Sequence, residues 1–176
     1  MRRNYCICLT LFLISLLLGF QLLNTFNTTS VMEDTTVVDF DQNNSRFFVF
    51  LSINNLLFCV VSLLALGVVT SILIIIQGIQ MGAMFSLWVS SGNSALEYFI
   101  LVAPHGILEI AAWLMFCALG LDLFLEVRKY LKGKEFNIKN WLKGNLQIII
   151  VASVLVVVAA FVESYITPWI YREIFL

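Results

Sequence analysis

Residues 47–89 run almost without interruption through Phe, Leu, Ile, Val, Ala and Met, and no charged side chain falls among them. At about 1.5 Å of rise per residue, one helix of that length would be roughly twice as long as a hydrocarbon core of about 30 Å. The stretch therefore reads as two antiparallel arms, either two full spans or a re-entrant hairpin, with Gly67 near its middle as the turn. The rest of the chain is built alike: 61% of its residues are hydrophobic, 12% are charged and the mean hydropathy is +0.97, far from the balance of a soluble domain. Inside a bilayer the backbone finds no water to bond, so such segments cross as helices. The fold class that follows is all-α, a single polytopic transmembrane helical bundle of about five spans.

The expected spans are 5–25, 47–66, 68–89, 98–125 and 146–166. Arg2 and Arg3 precede the first, which resembles a secretory signal. The run continues through Gly19-Phe20-Gln21-Leu22-Leu23 without a small-x-small cleavage site and reads as an uncleaved anchor. Residues 26–46, with Glu33, Asp34, Asp39 and Asp41, form a solvated acidic loop, and 126–145 form a basic one carrying Arg128, Lys129, Lys132, Lys134, Lys139 and Lys143, with Trp141 at an interface. Thr167-Pro168 is expected to stop the last helix. Placing the N-terminus in the cytoplasm puts Arg2, Arg3 and the whole basic loop on the cytoplasmic side of a cell membrane and the C-terminus outside, as the positive-inside rule requires. The basic loop is then a topology determinant, with attraction to anionic lipid or a cytoplasmic partner as its alternative. Nothing supports a nucleic-acid role.

Against this apolar background the polar exceptions stand out. Residues 101–112, Leu-Val-Ala-Pro-His-Gly-Ile-Leu-Glu-Ile-Ala-Ala, hold the chain's single histidine and a carboxylate one helical turn apart, His105 and Glu109. Pro104 lacks an N–H and Gly106 is permissive, so a helix is expected to kink or restart there. Counted from Phe99, His105 lies about 9 Å and Glu109 about 15 Å deep, while Asn54 and Asn55 lie about 11 Å below their own outer boundary. Glu163, about 26 Å along from Leu146, also reaches the outer half. Asn54, Asn55, His105, Glu109 and Glu163 are therefore expected to form one intramembrane cluster. Gly78 and Gly82, spaced small-x-x-x-small, are expected to let two helices approach closely. The four cysteines all lie in apolar runs, where Cys behaves as a small buried hydrophobe, and suggest neither a disulfide framework nor a metal knuckle.

Four readings of the cluster stay open. It holds helices together by hydrogen bonds; it is a binding or proton-relay site for something moving through the membrane; it is a metal site of His105, Glu109 and Glu163; or it serves metal-free intramembrane hydrolysis. The last two lack support from motifs, since there is no His-Glu-x-x-His, no Gly-x-Ser-x-Gly and no pair of intramembrane Asp.

Ala-Pro-His-Gly-Ile-Leu-Glu-Ile-Ala-Ala at 103–112 resembles the signature of the stage II sporulation protein M superfamily of small bacterial and archaeal membrane proteins. Ile53-Asn54-Asn55, Gln77-Gly78-Ile79-Gln80-Met81-Gly82 and the closing run from Ala159 to Pro168, with Glu163-Ser164-Tyr165-Ile166-Thr167-Pro168, are similar to the family's other motifs and occur in the same order. Ala111 stands where the family usually has proline. The resemblance implies no known reaction. One branch acts in engulfment during sporulation beside a peptidoglycan hydrolase; another is encoded with circular bacteriocins and serves their maturation, export or immunity. A short chain with a compact outer loop, rich in Ile, Phe, Asn and Lys, looks more like the bacteriocin branch. The expectation is a subunit without a cofactor that receives a hydrophobic peptide at His105, Glu109 and Glu163 and works beside a transporter, with a scaffold of an envelope complex as the alternative and a metal-dependent intramembrane hydrolase behind both.

Overall fold

The computed structural model describes residues 2–25, 44–65, 68–133, 135 and 137–175. Six helices follow one another: α1 (Arg2–Thr25), α2 (Asn44–Leu64), α3 (Val68–Ser90), α4 (Ala95–Leu131), α5 (Ile138–Phe161) and α6 (Thr167–Phe175). A π-helical segment, Val162–Ile166, joins the last two. Five of the resulting rods are long and apolar enough to cross a membrane, the last made of α5, the π segment and α6 together. α2 and α3, of 21 and 23 residues, are each long enough to span, which favours two full spans over a re-entrant hairpin. The turn expected at Gly67 and most of the acidic loop lie outside the described residues.

Local chemistry moves several boundaries away from those expected. α4 starts at Ala95 rather than at 98 because Ser94 and Glu97 make a capping box: Ser94 Oγ accepts the Leu96 N–H at 3.2 Å, and the Ser94 N–H reaches Glu97 Oε2 at 3.4 Å. It continues to Leu131, where Gly133 at φ +80 turns the chain and its N–H closes on the Tyr130 carbonyl at 2.9 Å. Asn137 then caps α5 by accepting the N–H groups of Lys139 and Asn140 at 3.0 and 3.2 Å. The basic loop is thus a short connection between two helix ends, and most of its cations ride on helices.

Neither proline ends a helix. α4 passes through Pro104 and Gly106 without restarting. One lost N–H is tolerable in a helix flanked by α1, α2, α3, α5 and α6, whose packing holds the backbone on course. Thr167-Pro168 does not stop the chain either. The π turn lets the Thr167 N–H bond the Val162 carbonyl, five residues back, and Pro168 falls at the second position of α6, where a missing N–H costs little.

The core gathers Cys8 and Phe12 of α1, Cys59 of α2, Ile74 of α3, Trp113, Phe116 and Cys117 of α4, and Ala152 and Val156 of α5. The Phe58 and Trp113 rings meet at 5.7 Å. Cys8, Cys59 and Cys117 are buried as small hydrophobes, whereas Cys6 faces outward. α1 and α3 pack backbone to backbone through glycine. A Cβ on Gly78 would sit 1.9 Å from Ser15 Oγ, and one on Gly82 would sit 2.0 Å from the Leu16 carbonyl oxygen. Gly82→Ala should therefore destabilise the protein by roughly 1–3 kcal/mol. Gly144→Ala, in α5 with nothing within 4 Å of the added carbon, should be neutral or stabilising by roughly 0.5–1 kcal/mol. Thermal unfolding of the two variants in detergent checks the contrast; equal melting temperatures would refute the close α1–α3 contact.

Candidate functional site

The carboxylate of α4 finds its partner on α2. Asn55 Nδ2 donates to Glu109 Oε1, and Glu109 is only 9% exposed. This bond sets the level of the site along the bundle, because α2 is about 31 Å long and Asn55 lies about 16 Å from its N-terminal end at Asn44. The polar layer therefore sits near the middle of α2, which begins three residues before the expected boundary at 47.

Glu163 approaches from the π segment, close enough to Glu109 for the two carboxyl groups to interact electrostatically. The segment itself is fastened to the start of α2. Tyr165 OH donates to Ser45 Oγ at 3.4 Å, and Phe48 packs against Phe161 and Tyr165 with ring centroids 6.3 and 6.2 Å apart. His105, one turn above Glu109 on α4, places Nδ1 3.4 Å from Thr167 Oγ1 at the head of α6. Four of the five expected residues, Asn55, His105, Glu109 and Glu163, thus belong to one region built by α2, α4, the π segment and α6.

Asn54 does not join them. It is exposed on the outer side of α2. Adjacent residues of a helix point about 100° apart, so Asn54 and Asn55 cannot both face Glu109. Two participants escaped the sequence reading. Thr167 was expected only to end a helix, yet the π turn brings its hydroxyl to His105. Trp113, one turn below Glu109, has a buried indole N–H with no partner among the described residues. An Oγ or indole N–H in an apolar run gives little signal without knowledge of helix phase.

The chemistry available is that of two carboxyls, an imidazole and a carboxamide in a low-dielectric interior. Such a set binds a proton, a cation or the backbone amides of an unwound peptide. A metal centre gains no support, because among the described residues no group of three or more His, Cys, Asp and Glu side chains is arranged to hold an ion.

Five membrane-length helices around a buried, partly ionisable polar layer define a polytopic helical membrane protein. The chain belongs to the stage II sporulation protein M family, whose pattern it matches over residues 8–168. It is similar to the protein named Uncharacterized protein MJ0793 of Methanocaldococcus jannaschii, with 33% identity over 172 residues covering 92% of this chain and 93% of that protein. No solved structure matches it.

Because Asn55 and Glu109 bond across α2 and α4, Asn55→Ala and Glu109→Ala should be non-additive, with a coupling of about 0.5–3 kcal/mol in a double-mutant cycle. Asn54→Ala should be additive with Glu109→Ala. Reversible unfolding in mixed micelles measures both cycles, and coupling of Glu109 to Asn54 instead of Asn55 would reverse the assignment of the inward face of α2.

Proposed function

We propose that this protein is an accessory membrane subunit of circular bacteriocin maturation, export or immunity, working beside a transporter. In this reading a hydrophobic peptide enters the bundle laterally and is held at the layer of Asn55, His105, Glu109 and Glu163, with the N-terminus in the cytoplasm and the C-terminus outside. The observation that carries it is the Asn55–Glu109 bond with Glu163 alongside in a π turn. Ionisable groups are costly at that depth, and π turns recur at functional sites. A peptide leaving or entering the membrane needs backbone bonds satisfied while it unwinds, and carboxyl and carboxamide groups supply them.

A second reading, a static scaffold of a sporulation-type envelope complex beside a peptidoglycan hydrolase, is favoured by the backbone-to-backbone α1–α3 contact at Gly19, Gly78 and Gly82, which suits a rigid body. The two readings separate in cells carrying the gene with its chromosomal neighbours. Deletion should abolish mature peptide output or immunity, and Glu109→Gln and Glu163→Gln, present at normal membrane level, should lower it about tenfold or more if each removes an interaction of about 1.4 kcal/mol or greater. Peptide output untouched by the deletion would end the bacteriocin reading and leave the scaffold.

A further inference from the structure

The inner end of α4 carries a cavity that peptide handling does not use. It has a volume of about 300 Å³ and is lined by Arg3 of α1 and by Asp122, Glu126, Arg128 and Lys129 of α4, with Lys132 just beyond the helix and Leu125 as its apolar part. The two carboxylates are already engaged. Asp122 Oδ2 accepts the Trp141 indole N–H at 3.0 Å, and Glu126 pairs with Lys129. Arg3, Arg128 and Lys132 remain, three cations around one cavity. They are not consumed in closing α4, because the backbone N–H groups of Lys132 and Gly133 already bond the carbonyls of Lys129 and Tyr130. Arg3 also stands in the first turn of α1, where free N–H groups and the helix dipole favour an anion.

Depth decides what kind of anion. Taking the middle of α2 as the middle of the bilayer puts Glu109 there by its bond to Asn55, and along α4 Asp122 lies about 20 Å and Arg128 about 28 Å beyond it. Half of a bilayer including its headgroups is about 20–22 Å. Side chains of a helix slant back toward its N-terminus, so Arg128 leans from its Cα toward the headgroup layer. The cavity thus begins at the edge of the headgroup layer, at Asp122, and extends outward from it on the membrane face that carries the α4–α5 connection, with Arg128 reaching back toward the phosphates.

We propose that Arg3, Arg128 and Lys132 form a binding site for the phosphate of an anionic phospholipid, with Leu125 as the apolar part of the cavity wall. Guanidinium groups match phosphate oxygens in pairs, and a zwitterionic headgroup would bring its own cation into a positive cavity.

Native mass spectrometry of the purified full chain in detergent tests this with phosphatidylglycerol and phosphatidylcholine of identical acyl chains. The wild type should retain phosphatidylglycerol preferentially. Arg3→Gln/Arg128→Gln/Lys132→Gln should weaken that retention about tenfold or more, and Lys139→Gln/Lys143→Gln, which removes neighbouring cations outside the cavity, should leave it unchanged. Circular dichroism verifies that both variants remain folded, and Arg3→Lys/Arg128→Lys, which keeps the charge, should retain part of the preference. Equal retention of the two lipids by the wild type, equal loss in the two Gln variants, or full retention by the triple variant would each overturn the site. Inorganic phosphate displacing the lipid at low millimolar concentration would overturn the lipid as the source and assign the site to a soluble phosphate.

Discussion

Water is absent from the interior of a bilayer, and this single constraint dictates most of the molecule. Every backbone donor must be met within the chain, so the chain folds as helices, and every departure from a regular helix needs a local remedy. At the ends of α4 and α5 the remedy is side-chain capping by Ser94 and Asn137. Around Thr167-Pro168 it is a π turn that re-pairs the Thr167 N–H with Val162. A device that repairs the backbone also sets chemistry, because the same turn carries Glu163 within electrostatic reach of Glu109 and places Thr167 Oγ1 3.4 Å from His105.

Hydrophobic burial does not hold helices together in lipid, so contact has to come from close packing and hydrogen bonds. The bundle uses both in different places. α1 and α3 approach through Gly19, Gly78 and Gly82 with no room for a methyl group. α2 and α4 are joined instead by Asn55 and Glu109, by Phe58 on Trp113, and by Gly120, which lies against the Ser62 carbonyl. The polar layer is therefore both an adhesive and a site, and substitutions there act on stability and on binding together.

What the sequence made legible follows from period and composition. Runs of about 20 apolar residues identify spans without any knowledge of their neighbours, and the small-x-x-x-small spacing of Gly78 and Gly82 picked out the side of α3 that meets α1. Phase was harder to read. Asn54 and Asn55 are equally polar, and only the partner across the interface decides which one faces in. The basic loop looked like a loop because its residues are charged, yet Lys and Arg are good helix formers and continue helices past the membrane boundary. Pro168 looked like a terminator because the rule assumes a regular α-turn before it, which the π turn replaces.

α4 ties these observations into one architecture. At 37 residues it is about 55 Å long, far more than the hydrocarbon core, and its central part is buried on all sides. One end of that buried part bears Glu109 and His105, and beyond the other lie Arg128 and Lys132. A rod of this length can slide along the membrane normal unless something fixes it, and an apolar surface does not distinguish one depth from the next. The charged end supplies the reference, since moving Arg128 into hydrocarbon is costly whereas moving it within the headgroup layer is not. Glu109 stands about 28 Å along the same helix from Arg128, within the apolar part of the bundle, and its bond to Asn55 ties α2 to that level. One continuous helix thus sets the spacing between the polar layer and the cations.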